Sequence, residues 1–192
     1  MKPTIITFDI ETSGLDPEEN EIIQFAAIAE SPAGVVLETF ERKILFSEEL
    51  ADPKALALNH YDAEVWKAEA ISRQTFCNEF SWFLRPYKDI IRRSAEGRPY
   101  GVAQLSGYNA AAFDVKFLQQ HFKEHQAFLP CDFRVLDVMQ LALWHGYAEN
   151  WGIASYKLKD VAKHLGLEIP EDLHDALADV KLTAEIRKKL LA

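Results

Sequence analysis

The chain has 192 residues, of which 48% are hydrophobic and 27% charged, and this composition excludes a disordered or fibrous protein. A chain of this length is expected to form one domain, residues 1–192, with a core that needs no disulfide staples. Its net charge of −9 argues against a protein that wraps duplex DNA, because such binding rests on many phosphate contacts. The charge does not exclude an enzyme that binds one end of a nucleic acid, because carboxylates that hold a divalent metal ion create a binding site for phosphate.

The sequence contains no pattern typical of a membrane span or a secretory leader. Its longest nearly continuous apolar stretch, 22–29, is far shorter than the ~20 residues that a spanning helix needs. The N-terminus enters a strand-like run and lacks the apolar region of a signal peptide. Cys77 and Cys131 lie in no recognisable motif, so we expect reduced thiols. These features predict a cytoplasmic protein with no membrane partner.

The first half of the chain predicts an antiparallel meander followed by a helix. Runs rich in apolar and β-branched residues, bounded by turns, predict three strands at 4–11, 21–29 and 35–46. A polar connection with short helices, 48–70, comes next. Ser72 fits the N-cap of a helix that extends to about Arg93. The glycines, proline and arginines of 92–101 predict an exposed loop.

The second half of the chain predicts two short strands and several helices. The strands are expected at 102–106 and 134–137. Apolar periodicity predicts helices at 111–125, 138–147, 158–165 and 173–190. Gly166 is a natural residue to end the third of these helices. Strands, a helix, a strand and then helices indicate an α+β chain built on one mixed sheet.

Two carboxylates end the first predicted strand. Asp9 and Glu11 are two residues apart, so they project from the same face of the strand. The segment 5–8 that leads into them looks buried, and a buried carboxylate pair is stable only if a cation neutralises it. Oxygen ligands of this type suit magnesium or manganese. The alternative is that both carboxylates lie exposed in a turn.

Further acidic residues occur at the start of two predicted helices. Asp114 shares a helix face with the apolar Phe117, unless it only complements the helix dipole. His174, Asp175 and Asp179 are interleaved with small apolar residues, where a solvated face would more often carry Glu and Lys. The alternative there is a helix-capping Asp175 beside an incidental histidine. The other histidines are interpreted as structural or surface residues: His60, His121, His125, His145 and His164.

Taken together, these motifs resemble those of a known enzyme family. In order and context they resemble the motifs of the DEDDh family of 3′→5′ exonucleases. The residues that match are Asp9, Glu11, Asp114, His174 and Asp179. The likeness covers Phe8 to about Ile186 and is greatest to the nuclease domain of bacterial exonuclease I. It implies a ribonuclease H-like fold, a three-layer α+β structure with a five-stranded mixed sheet flanked by helices. The spacing from Asn109 to Asp114 is one residue longer than in many proofreading members.

The resemblance also implies a reaction. Phosphodiester hydrolysis would use two Mg²⁺ or Mn²⁺ ions, one of which carries the attacking water. Asp9, Glu11 and Asp179 would hold that ion, and Asp9 with Asp114 would hold the second. His174 would act as the general base, a task that its ordinary pKa suits at neutral pH.

The implied substrate is the 3′ end of a single-stranded nucleic acid, DNA rather than RNA. Thr12 and Leu15 would orient and pack against the terminal nucleotide, and Asn109 belongs to the same substrate-binding set. The alternatives are an RNA-trimming exoribonuclease that uses the same site and an inactive nuclease-like binding module. A polymerase partner would suit a proofreading relative, but the sequence shows no polymerase-binding tail after its last helix.

Helix geometry makes one further prediction about the last motif. Five helical steps turn about 500°, which leaves side chains at positions 174 and 179 about 140° apart. They cannot converge if both lie well inside one helix. We therefore expect His174 before the helix or in its first turn, and Asp175 near the N-terminus as a cap.

Overall fold

The computed structural model describes residues 2–171 and 174–192, and a five-stranded mixed sheet forms its centre. The strands, in chain order, are β1 (Ile5–Thr12), β2 (Ile22–Glu30), β3 (Val36–Lys43), β4 (Ile90–Arg93), β5 (Pro99–Val102), β6 (Gln104–Gly107) and β7 (Leu136–Asp137). The main sheet has the order β3-β2-β1-β6-β7. β2 runs antiparallel to β1 and β3, whereas β6 is parallel to β1 and β7.

Helices cover both faces of this sheet. They are α1 (Pro53–Leu58), α2 (Ala63–Glu69), α3 (Arg73–Phe83), α4 (Asp114–Glu124), α5 (Val138–Glu149), α6 (Leu158–His164) and α7 (Ala176–Leu191). Ser72 caps α3 by accepting a hydrogen bond from the Thr75 backbone, and Gly166 follows α6 with a φ of +68°. Both helix ends are as the sequence predicts. No helix among the described residues is long and apolar enough to cross a membrane.

The strand β2 is buried along its whole length and separates two parts of the core. Phe25, Ala27 and Ala29 point into an aromatic cluster formed with α3 and α4, where the Phe25 and Phe80 rings lie 4.5 Å apart. Ala26 and Ile28 point to the opposite face and pack under α7. Apolar burial on both faces stabilises the central strands, so the three-layer arrangement follows from their composition.

The structure corrects the sequence-based prediction between positions 84 and 102. The helix expected to reach Arg93 ends at Phe83, because Pro86 cannot continue an α-helix, and a short 3₁₀ turn follows. The segment expected to be an exposed loop forms the β4–β5 hairpin, in which Arg92 pairs with Tyr100. Gly97, with a φ of +78°, allows the tight connection between the two strands.

Other boundaries also differ from the prediction. The strand expected at 35–46 ends at Lys43, and the helix expected at 111–125 begins at Asp114. The strand expected at 102–106 is divided between β5, which ends at Val102, and β6, which begins at Gln104. The last helix begins at Ala176, and its expected first residue, Leu173, lies outside the described residues.

Candidate active site

The two carboxylates of β1 face α7. Phe8 and Ile10 point into the aromatic core, so the alternating residues Asp9 and Glu11 lie on the other face of the sheet, where α7 packs. Glu11 is buried, whereas Asp9 keeps part of its surface exposed. The sequence prediction that both side chains share one face is confirmed. The alternative of two carboxylates exposed in a turn is wrong, because both residues belong to a central strand.

Asp114 is the first residue of α4 and is buried against β1. Its carboxylate accepts hydrogen bonds from its own backbone N–H and from that of Ile10, and both bonds favour the ionised form. Burial outweighs them and raises the pKa of Asp114 to about 7, with a smaller contribution from the negative charge of Asp137. The start of α4 therefore places the Asp114 carboxylate near Asp9 and Glu11, and burial disfavours the ionised form of Asp114.

The start of α7 brings the last motif to the same place. Asp175 is the N-cap and accepts hydrogen bonds of 3.1 Å from the backbone of Leu177 and Ala178. Asp179 lies one turn further on and is buried. His174 precedes the helix, is exposed, and has a φ of +73°. Both geometric predictions for this motif are confirmed: His174 lies outside the helix, and Asp175 is its cap.

Three side chains from β1 and from the start of α7 lie close to one another. One oxygen each of Glu11 and Asp179 and one ring nitrogen of His174 lie within 4.8 Å of one another. The left-handed backbone at His174 turns the chain just before α7, so the ring reaches a carboxylate that lies five residues ahead. The convergence that a continuous helix would forbid is therefore achieved.

The carboxylates repel one another strongly. Burial and then the charges of Asp114, Glu11, Asp179 and Asp175 raise the pKa of Asp9 well above its ordinary value. Burial and neighbouring carboxylates raise the pKa of Glu11 to about 9. Such a group of oxygen donors suits one or more hard divalent cations, which would remove the repulsion. The donor set therefore fits magnesium or manganese.

His174 is held in its neutral form by its surroundings. Partial burial, and secondarily the charge of His60, lower its pKa below the ordinary value of about 6.5. A neutral imidazole has a lone pair on one ring nitrogen and can accept a proton at neutral pH. The site thus combines an available proton acceptor with the carboxylates.

A rigid turn follows the β1 carboxylates. The hydroxyl of Thr12 donates to the Gly14 carbonyl at 2.6 Å, and the Asn59 side-chain amide donates to the Thr12 carbonyl at 2.9 Å. Thr12 is buried, but Leu15 is 82% exposed. This exposed apolar side chain follows the hydrogen-bonded turn and is available for packing against another apolar surface.

Asp137 holds the connection between β6 and α4 through hydrogen bonds to its backbone. This carboxylate caps α5 and accepts hydrogen bonds from the backbone of Asn109 (3.2 Å) and Ala111 (3.1 Å). Asn109 has a φ of +58°, and a Cβ at Gly107 would lie 2.9 Å from the Phe8 carbonyl oxygen. The tight loop sets where α4 begins, and hence where Asp114 lies.

Sequence reasoning missed three residues that border the site. Asp137 is the predicted cap, but its hold on the Asn109 loop is a long-range contact. Gln24 donates a hydrogen bond to Asp175 at 2.9 Å. A polar residue within an apolar strand is the sequence feature that marks Gln24 as a candidate. His60 is close enough to lower the pKa of His174, and no sequence pattern marks it.

The chain is similar to known exonucleases in both sequence and fold. The RNase_T exonuclease family model matches residues 6–187. The chain belongs to the RNase_T exonuclease family. Both the family expected from the motifs and the five-stranded mixed sheet expected from the resemblance are thereby confirmed. Exonucleases of this family are metal-dependent.

Relatives of this exonuclease domain are distant but cover it almost entirely. Exonuclease DPD1 of Arabidopsis thaliana is 26% identical over 97% of the chain and 56% of its own length. DNA polymerase III subunit epsilon of Treponema pallidum (strain Nichols) is 24% identical over 96% of the chain and 75% of its own length. The structure of E. coli exonuclease I in complex with a dT13 oligonucleotide has a TM-score of 0.77 at 22% identity, over 99% of this chain and 41% of that one. The chain thus spans about half the length of the first of these relatives.

Proposed function

We propose that this exonuclease domain, formed by residues 1–192, hydrolyses single-stranded DNA from its 3′ end and releases 5′-mononucleotides. The observation that supports this most strongly is the convergence of three separate chain segments on one acidic site. Their side chains are Asp9, Glu11, Asp114, His174 and Asp179. A nuclease-like module that only bound nucleic acid would have no need for so costly a group of carboxylates.

The carboxylates are proposed to hold two Mg²⁺ or Mn²⁺ ions. Asp9, Glu11 and Asp179 would bind one ion, and Asp9 with Asp114 would bind the other. When bound, such ions neutralise developing charge on the attacking and leaving oxygens and make water a better nucleophile. The raised pKa values of Asp9 and Glu11 support the assignment, because a bound cation would favour the ionised form of both carboxylates.

His174 is proposed as the general base. Its ring lies beside Glu11 and Asp179, so a water molecule near those carboxylates is within its reach. The lowered pKa keeps the ring neutral, and a ring nitrogen takes the proton as the water attacks the terminal phosphodiester. Because His174 is exposed, the imidazolium can return its proton to solvent before the next cycle.

Thr12, Leu15 and Asn109 are proposed to position the last nucleotide. Leu15 offers an exposed apolar surface for the terminal base, and contact of this kind accepts any base. The turn at Thr12 directly follows Glu11, and the loop at Asn109 leads into Asp114 at the start of α4. A strand end held between them would present its terminal phosphodiester to the acidic site.

The choice of DNA over RNA is supported by the likeness to a nuclease solved with a dT13 oligonucleotide. The test is a set of matched oligomers: 5′-labelled single-stranded DNA, the same sequence as RNA, and a circular DNA, each with Mg²⁺ or EDTA. The proposal predicts a ladder of shortened 5′-labelled DNA, 5′-mononucleotide products, slower RNA degradation and an intact circle. Immediate loss of the 5′ label or cutting of the circle would contradict the polarity, and faster RNA degradation would reassign the substrate.

A further inference from the structure

A second cluster of metal-ligand side chains lies on the other side of the sheet, between α3 and α4. The Cys77 sulfur and one ring nitrogen each of His121 and His125 lie within 4.8 Å of one another. Cys77 and His121 are buried, and His125 is partly exposed at the end of α4. His121 and His125 are four residues apart, which puts both on one helix face, and their rings stack 4.8 Å apart. The cluster shares no residue with the acidic site.

Hydrogen bonds fix the protonation of both imidazoles. Nε2 of His121 lies 3.2 Å from the Arg73 carbonyl, and Nδ1 of His125 lies 2.8 Å from the His121 carbonyl. Carbonyl oxygens only accept, so each of these nitrogens carries its hydrogen when the ring is neutral. The remaining nitrogen of each ring then keeps a lone pair. Histidines that bind metal in proteins are commonly held in this way, with the second ring nitrogen donating to a backbone carbonyl.

The surroundings favour neutral imidazoles and a protonated thiol in the metal-free protein, because burial raises the pKa of Cys77 to about 11. Burial lowers the pKa of His121 to about 4, so its lone pair is available throughout the physiological range. The Phe76 ring packs edge-on against His121, with centroids 5.2 Å apart. The charge of Arg73 acts on His121, but Arg73 is paired with Glu21, so this charge is partly offset. The exposed part of His125 gives an ion a route from solvent.

We propose that Cys77, His121 and His125 form a binding site for a zinc-class divalent transition metal, with solvent as the fourth ligand. One sulfur and two nitrogens are the donors that zinc prefers, whereas the oxygen donors of the acidic site suit magnesium or manganese. On binding, the Cys77 thiol loses its proton to solvent and its sulfur bonds to the metal. The ion joins α3 to α4 across the aromatic core and leaves the acidic site unchanged.

Cobalt(II) provides a direct probe, because a cysteine sulfur bonded to cobalt gives an intense charge-transfer absorption that oxygen ligands do not give. The full chain is titrated with Co²⁺ in excess Mg²⁺, which occupies the carboxylates. We expect one equivalent of Co²⁺ to produce the sulfur–cobalt band. Zn²⁺ should displace the cobalt and raise the midpoint of thermal unfolding by ~5 °C when it is well above its dissociation constant.

Matched variants identify the ligands. Cys77→Ser should abolish the band, and Cys131→Ser, which removes the other cysteine, should keep it. His125→Gln, at the partly exposed end of α4, should weaken Co²⁺ binding by ~10-fold or more, and His145→Gln on the surface of α5 should not. Circular dichroism verifies that each variant is folded. A wild-type protein without the band, a band that survives in folded Cys77→Ser, or an unchanged Co²⁺ affinity in folded His125→Gln would overturn the proposal.

Discussion

At the scale of single residues, the acidic site places ionisable groups where their charge is costly. Glu11 is buried beside other carboxylates, and its pKa rises to about 9. In metal-free protein it is protonated at neutral pH, whereas in the unfolded chain it is ionised. Folding therefore takes up a proton, and the stability of the metal-free protein must depend on pH.

The sign of this dependence follows from the raised pKa. Stability is fully present below the unfolded pKa of Glu11, about 4.5, and is lost as pH rises toward 9. We expect the melting temperature in EDTA to fall between pH 5 and 9, and Mg²⁺ to restore more stability at pH 8 than at pH 5. Thermal unfolding across this range is the measurement. Glu11→Gln should flatten the profile, whereas Glu19→Gln, an exposed control, should not; equal slopes would contradict the assignment.

His174 is the proposed proton acceptor, and its removal should slow the reaction. His174→Ala should slow cleavage by roughly 10²–10⁴-fold, because a general base contributes about that much, while metal binding is kept. The wild-type rate should rise with pH as His174 loses its proton, with a midpoint below the ordinary histidine value. Single-turnover rates across pH measure both effects. His145→Ala is the control, and a His174 variant within threefold of wild type would show that another group activates the water.

At the scale of elements, the start of α7 assigns different tasks to two aspartates in one motif. Asp175 holds the helix end through the Leu177 and Ala178 backbone, whereas Asp179 lies near Glu11 and His174. The start of the helix at Ala176 makes Asp175 the N-cap and places Asp179 in the first turn. The left-handed backbone at His174 turns the chain just before this helix.

This difference can be measured by paired substitutions. Asp175→Asn keeps an oxygen acceptor for the helix end but loses the charge that the dipole favours, so it should lower the melting temperature slightly and spare most activity. Asp179→Asn should destroy activity and weaken metal binding. Parallel metal titrations and cleavage rates decide between them. The reverse pattern would mean that the two carboxylates have been assigned to each other's roles.

Features of the elements that depend on local geometry are predictable from the sequence, whereas contacts between distant segments are not. Strand alternation placed Asp9 and Glu11 on one face, and helix periodicity placed His174 outside α7, because both depend on local geometry. The polar composition of 92–101 does not reveal the β4–β5 pairing, and apolar periodicity continues past Pro86, where the helix can no longer extend. Contacts between distant segments, such as Asp137 with the Asn109 loop, are not encoded by spacing.

At the scale of the whole molecule, the sheet separates two ion-binding chemistries. One face carries oxygen donors beside α7, and the other carries the Cys77 cluster between α3 and α4. The net charge of −9 also has a consequence, because a nucleic-acid strand would be repelled except where cations neutralise the acidic site. Substrate binding and metal binding should therefore be coupled, and the affinity for DNA should rise with the Mg²⁺ concentration.

The carboxylates at the end of β1 are proposed to support metal-dependent hydrolysis. The most direct measurement is the cleavage rate of a 5′-labelled DNA oligomer against Mg²⁺ concentration, for wild type, Glu11→Gln and the exposed control Glu19→Gln. The wild type and the control should show the same saturable dependence on Mg²⁺. Glu11→Gln should remain folded and lose roughly 10³-fold or more in rate, because the charge that holds the ion is gone. A folded Glu11→Gln variant with wild-type activity, or a wild type that cleaves equally well in EDTA, would contradict the account.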